Sequence, residues 1–423
     1  MRCFKDISIA AGAVLLVLSL FELGLRATGA KYESSFYESD PVLYMALRPE
    51  AEGWEVKEGE NFIKINSLGM RDKEHSVAPT PGATRIALLG DSMIAGEQVP
   101  LDKTMARVLE ALLQNRVGSA THSYEVLNFA VGGYTLSQEL LTLQTKVWDF
   151  HPDIVLLFLS PSSVPSCDRR VYPAAIPFFV MRDGRLVADP GNHPPAASSA
   201  EARRWHALFG NLMNRVRLLQ LIRKATQDGI PQEAAKLRGT KRSRNENILD
   251  MWLQPPASPA QENAWEVANG ILGLMAQDAR SHGTEFWLSA IGPEIEDNPS
   301  KLDRTKFLRA HGIENFDYAE NRLRAIAAAH GIKFISLEGP LTEYAERNHI
   351  SIRGFFNTRP NYGHWNETGN AAAAMIVADS LLQSRTEPKL SDPSIQSKVG
   401  HLQDGPEYAA PRPNTNSLQS VNY

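Results

Sequence analysis

Three largely apolar runs set the strongest limit on what this chain can fold into. "RIALLGD", "YEVLNFAV" and "DIVLLFLS", at 85–91, 124–131 and 153–160, are strand-length and carry few polar residues. Between them, apolar residues recur at helical spacing: Met105, Val108, Leu109, Leu112 and Leu113, then Leu136 to Phe150. A strand apolar on both faces must be covered on both, so helices have to alternate with strands across a parallel sheet. The same rhythm returns later, with a helix over Gln261–His282, a strand in "TEFWLSAIG", a helix over Tyr318–His330 and a strand in "IKFISLE". A last helix in "NETGNAAAAMIVADSLLQ" closes the pattern.

The flanks divide the chain. Arg2 and Lys5 precede fifteen apolar or small residues, Ile7 to Phe21, and Glu22 interrupts a run that resumes to Leu25. That length suits an uncleaved anchor with its N-terminus inside, or the core of a cleaved signal; both predict export. We therefore expect a signal anchor over 1–30 and a membrane-proximal lead-in of short strands and loops over 31–84. The α/β domain should occupy 85–385, and a polar tail, expected to be disordered, 386–423. Within the α/β domain, 165–260 breaks the rhythm with many prolines, a helical piece around Trp205–Lys224 and the basic run "RGTKRSR" at 238–244. It is read as a mostly helical insertion.

A formal net charge of -4 argues against a nucleic-acid partner. Two cysteines, one at each side of the apolar segment, make no disulfide framework. No Cys or His pair has metal-ligand spacing, so neither a metal nor a cofactor is expected.

The chemistry concentrates where an apolar strand runs into Gly90-Asp91-Ser92. In an open parallel sheet, ligands bind at the carboxyl ends of the strands. A tight turn there exposes the Ser92 hydroxyl and aims backbone N–H groups at charge developing beside it. A serine needs a base. His364, in "NYGHWNETGN" after the last strand and before the last helix, belongs to the same end of the sheet.

These blocks, in this order, resemble the SGNH or GDSL hydrolase superfamily. Gly90-Asp91-Ser92 with Gly96 matches its first block, and "LNFAVGGYTLSQE" its second, with Gly133 at the oxyanion-hole position. "HWNETGNAAAA" resembles its last block. "FELGLR", "INSLGMRDKE" and "RIALLGDS" are similar to a membrane-anchored bacterial branch; the likeness spans roughly 7–382 and is weakest in 165–260. It implies a flavodoxin-like three-layer α/β/α fold. It also implies a serine esterase in which Ser92 attacks, His364 is the base, and the N–H groups of Ser92 and Gly133 hold the oxyanion, with Asp91 in support.

Two family positions differ. No Asn follows the third strand, which ends "LLFLSPSSVPS"; Ser162 or Ser163 is expected to donate in its place. Where the family has Asp three residues before the His, this chain has Asn361, expected to orient the imidazole, with Glu338 or Glu367 as substitute acids. The leading expectation is an exported esterase, tethered to the inner membrane with its catalytic domain outside the cytoplasm. Its substrate would be an acyl, above all acetyl, ester of envelope or secreted carbohydrate. An O-acyltransferase would use the same acyl-enzyme, and a lipid-acting esterase is a weaker alternative. A non-catalytic relative that binds polysaccharide or an assembly partner is the competing class. Oligomeric state is left open.

Overall fold

The structure is a computed structural model that describes residues 2–118, 122–197, 199–228 and 248–386. The basic run at 238–244 and the tail beyond Thr386 lie outside the described residues. Met1–Ala378 form one compact unit, and a second begins at Asp379, inside the last helix.

Helix α1 spans Arg2–Ala27. Four short strands follow as two antiparallel hairpins, β1 (Tyr37–Asp40) with β2 (Tyr44–Leu47), and β3 (Glu52–Glu55) with β4 (Asn61–Lys64). The parallel sheet consists of β5 (Ala83–Leu89), β6 (Ser123–Asn128) and β7 (Ile154–Leu159), then β10 (Glu285–Ala290) and β11 (Lys333–Ile335). A third hairpin, β8 (Phe179–Arg182) with β9 (Arg185–Ala188), lies in the insertion. The sheet order is β11-β10-β7-β5-β6. Counted along the sheet strands alone this is 2-1-3-4-5, the doubly wound, flavodoxin-like order, whose switch point falls at the end of β5.

The main helices after α1 are α2 (Ser92–Ala95), α3 (Met105–Val117), α4 (Leu136–Thr145), α5 (Ala200–Arg215) and α6 (Arg217–Asp228). They continue as α7 (Pro259–Ser281), α8 (Lys301–His311), α9 (Tyr318–Ala329), α10 (Glu338–Asn348) and α11 (Glu367–Thr386). Helices α8 and α10 were not expected from periodicity: α8 buries only Arg304, so it has no apolar stripe to read. The single helical piece expected over Trp205–Lys224 is two helices, because Val216 adopts an extended ψ of 112° between them.

All six residues of β7 are buried, which explains its unbroken apolar run. Leu157, Leu159, Leu140, Leu143, Trp265 and Leu272 join one core between the sheet, α4 and α7. Full burial of each such side chain contributes roughly 1.5–3 kcal/mol. A smaller core of Phe36, Leu43, Ile63, Ile65, Val131 and Tyr134 joins the two hairpins of 31–84 to the loop after β6. That loop carries Gly133, so the hairpins touch the carboxyl end of the sheet.

Candidate active site

Strand β5 ends at Leu89, and Asp91 caps α2, its side chain accepting the Met93 N–H at 3.0 Å. Ser92 is thereby the first residue of a short helix that ends at Gly96. Asn128, at the end of β6, ties the neighbouring loop to this turn: its Nδ2 donates to Ile94 O at 3.0 Å and its Oδ1 accepts the Ala130 N–H at 3.1 Å.

His364 approaches from the loop before α11. Its Nε2 lies 2.7 Å from Ser92 Oγ, although the two residues are 272 positions apart. Its Nδ1 lies 2.9 Å from Oε2 of Glu58, and its backbone N–H donates to the same oxygen at 2.8 Å. Ser92, His364 and Glu58 thus form one continuous hydrogen-bonded relay. The His364 and Glu58 side chains are 24% and 21% exposed, so the relay is half-buried and reachable from solvent.

Glu58 takes the place expected for Asn361, Glu338 or Glu367. Asn361 holds a left-handed φ of 59° in the turn before His364. Its N–H goes to Ser351 Oγ at 2.9 Å, and its Oδ1 is buried without a partner among the described residues. Its amide therefore does not hold the imidazole. Glu338 opens α10 instead of ending a strand. It is buried beside Asp297 and Arg353, and burial, with the charge of Asp297, pushes its carboxyl up to about 8. Glu367 is the first residue of α11, and the acid facing His364 is Glu58.

Sequence reasoning missed Glu58 because nothing in "EVKEGEN" distinguishes it from Glu60; both are acids in a hairpin turn. What places it is tertiary. Asn357, six residues before the turn that carries Gly363, threads the tip of the β3–β4 hairpin. Its Oδ1 accepts the Gly59 N–H at 2.6 Å, and its Nδ2 donates to Val56 O and Gly59 O at 3.0 and 3.1 Å. Gly363 allows the close approach: φ is +81°, and a Cβ there would sit 2.4 Å from Glu58 Oε2.

Buried Arg353 braces the histidine loop from below. It pairs with Asp297 at 2.6 Å and donates to Gly363 O at 3.1 Å and Gly292 O at 3.0 Å. The loop before His364 is thus fixed to the end of β10. Burial alone would lower the proton affinity of His364; the Glu58 hydrogen bond and charge, aided by Asp91, overcome this and raise it. Burial likewise raises Glu58, but its contacts with His364 dominate and hold the carboxyl below its ordinary range.

Gly133 sits in the loop after β6 with φ +81°. Among the described residues, neither its N–H nor that of Ser92 has a protein acceptor. Ser160 Oγ lies 2.5 Å from Asp91 Oδ2 and 3.1 Å from Ser162 Oγ, so Ser162 reaches the turn that carries Ser92 through Ser160 and Asp91. Ser163 Oγ is taken up by the Ser160 N–H at 3.0 Å. Trp365, 1% exposed, packs against Gly369 of the final helix and does not line the site.

Beside the relay, Asp91, Met93, Ser160, Pro293, Arg353 and Tyr362 help line a cavity of about 400 Å³, within the size range of small-ligand sites. Among the described residues, no group of three or more His, Cys, Asp or Glu side chains is arranged to hold a metal ion.

No family model and no curated protein matches the chain. Among solved structures it is similar to TesA, at 15% identity over 70% of this chain and 98% of that one, with a TM-score of 0.35. It is also similar to a catalytic mutant of the acetylxylan esterase Axe2 from Geobacillus stearothermophilus, at 11% identity over 72% and 95%, TM-score 0.36. A third is the lipase/acylhydrolase from Enterococcus faecalis, at 12% identity over 73% and 100%, TM-score 0.35.

Proposed function

We propose that the chain is an SGNH-type serine ester hydrolase, and the relay of Ser92, His364 and Glu58 is the observation that supports this most. With Nδ1–H donated to Glu58, Nε2 is left as the acceptor for the Ser92 hydroxyl proton. Ser92 Oγ attacks the ester carbonyl, His364 takes its proton, and Glu58 stabilises the imidazolium so formed. The N–H groups of Ser92 and Gly133 receive the oxyanion, with the Ser162 hydroxyl on the side where the family has an amide. His364 then protonates the departing alkoxide. A water, deprotonated by His364, releases the acid and restores Ser92.

An acid paired to the imidazole answers one of the two departures from the family pattern, the Asn361 in place of Asp, and so weakens the reading of a non-catalytic binding protein. The substrate class we favour is an acyl, above all acetyl, ester of a carbohydrate, since Asp91, Ser160, Glu294 and the exposed Tyr362 give the lining of the adjacent cavity a polar side. Helix α1 contains a 22-residue stretch, Asp6–Ala27, long and apolar enough to cross a membrane. We read it as an anchor that places the domain outside the cytoplasm.

The full chain, purified in detergent, should hydrolyse p-nitrophenyl acetate and take up a serine-reactive phosphonate at Ser92, located by mass spectrometry. Ser92→Ala should lower turnover by at least about 10³-fold and abolish the label. A folded wild-type chain that takes up no phosphonate and shows no turnover would overturn the proposal.

A further inference from the structure

Helix α5 has two opposite faces with different fates. At 100° per residue, Gly210, Asn211 and Asn214 share one face, and that face is bound to the hairpins of 31–84. Asn214 accepts the Ser35 N–H at 3.0 Å and donates to Ser35 O and Glu52 O at 2.9 and 3.0 Å. Arg48 donates to Asn211 Oδ1 at 3.3 Å, and its guanidinium lies against Gly210. The other face presents Trp205, Leu208, Phe209 and Leu212, the i, i+3, i+4, i+7 pattern of a continuous stripe. These four are 54%, 64%, 60% and 48% exposed. An apolar stripe on the solvent side of a firmly bolted helix calls for an occupant.

The neighbouring contacts indicate which. The end of α1 meets the bend between α5 and α6. Glu22 of α1 accepts the N–H groups of Arg217 and Leu218, at 3.0 and 2.9 Å, where α6 begins. Arg26 donates to Arg215 O, the last carbonyl of α5, at 2.7 Å. The stripe is therefore carried by a helix joined directly to the end of the apolar α1. Residues 200–228 also carry six Arg or Lys against two acids, and a Trp/Phe/Leu face with a basic excess is the make-up of helices that lie in a membrane interface.

We propose that α5 and α6 form an interfacial platform, the Trp205–Leu212 stripe of α5 lying among the headgroups of an anionic bilayer beside the exit of α1. This rests on reading α1 as an inserted anchor. The platform is bolted to the same hairpin region that delivers Glu58, so seating it on the membrane fixes the height and tilt of the catalytic site.

The test uses the full chain in phosphatidylcholine vesicles with or without phosphatidylglycerol. A cysteine-attached NBD fluorophore is placed at Leu208→Cys, Leu16→Cys or Lys301→Cys, each with Cys3→Ser. Shallow doxyl-labelled lipid should quench position 208 at least twofold more than position 301, more strongly with phosphatidylglycerol than without. Quenching at position 16 but none at 208 would leave the anchor standing and overturn the platform. No quenching at either would show instead that the anchor reading itself is wrong. A blue-shifted but unquenched 208 would mean that protein, a second copy included, covers the stripe, and would also overturn it. Leu208→Glu with Phe209→Glu should keep p-nitrophenyl acetate turnover within about twofold while the depth signal, read from Leu212→Cys, is lost.

Discussion

The carboxyl edge of the sheet and the tip of the β3–β4 hairpin contribute to one relay under different constraints. At the sheet edge, Ser92 and His364 sit at junctions between regular elements, where the capped turn of α2 and the loop into α11 fix their directions. The hairpin tip has little core of its own. Asn357 holds the tip around Glu58 through the backbone of Val56 and Gly59, and Gly363 leaves room for the Glu58 carboxylate. One region is positioned by secondary structure, the other by a loop-to-loop lock. A site split in this way should fail differently when each half is disturbed.

The largest effect is expected from the hairpin side. Glu58→Gln keeps the shape but removes the charge that, in the proposed mechanism, stabilises the imidazolium and fixes the tautomer of His364. In a serine triad the corresponding change costs roughly 10⁴ in turnover, so a fall in kcat of about 10³–10⁴-fold is expected against p-nitrophenyl acetate, with an unchanged unfolding temperature. A loss below tenfold would show that the hairpin is a bystander and the sheet edge self-sufficient.

Gly363→Ala attacks the lock instead of the acid. The new Cβ would collide with Glu58 Oε2 at 2.4 Å and must also adopt φ +81°. Displacing a catalytic group by about 1 Å costs on the order of 10² in rate, and a strained φ of this kind costs of order 1–3 kcal/mol in stability. Steady-state kinetics and denaturant unfolding measure the two separately. Full activity in a destabilised protein would mean that Glu58 follows the histidine loop without needing this clearance.

The same lock sets the pH response. In the proposed mechanism the base acts only as the neutral imidazole, and Glu58 and Asp91 outweigh burial to raise the proton affinity of His364 above its ordinary 6.5. The acid limb of kcat/KM should therefore lie above pH 6.5, with activity rising as pH increases through it. In Glu58→Gln the main cause of the raise is gone and burial remains, so the residual activity should show its limb at lower pH. A limb that stays put would assign the shift to Asp91 or to another group.

How far the sequence displayed this arrangement follows the same division. Unbroken apolar runs such as β7 come from burial on both faces, and such burial leaves a local trace; so do the Gly-Asp-Ser turn and the His before an Ala-rich helix. The switch point at the end of β5 then follows from strand order. Glu58 left no such trace, because an acid in a polar hairpin turn looks like any solvated acid until a partner 306 positions away defines it. Helices α8 and α10 stayed hidden for a related reason, since each buries few residues and so carries little periodicity. Asn361 drew attention by its spacing from His364, and spacing along the chain does not fix direction in a turn with positive φ.

The smallest expected effect therefore discriminates well. Asn361→Gly removes the amide that sequence spacing favours as the histidine's partner, while glycine adopts φ 59° without strain. The lost Oδ1 is a buried acceptor with no partner among the described residues, so its removal forfeits no hydrogen bond at that atom. Activity should stay within about threefold of wild type and stability within about 1 kcal/mol. If Asn361 oriented the imidazole, turnover should instead collapse by the roughly 10²–10⁴-fold typical of losing a triad member's support. Paired with Glu58→Gln, the variant separates an acid that arrives through space from a neighbour that only lies close in sequence.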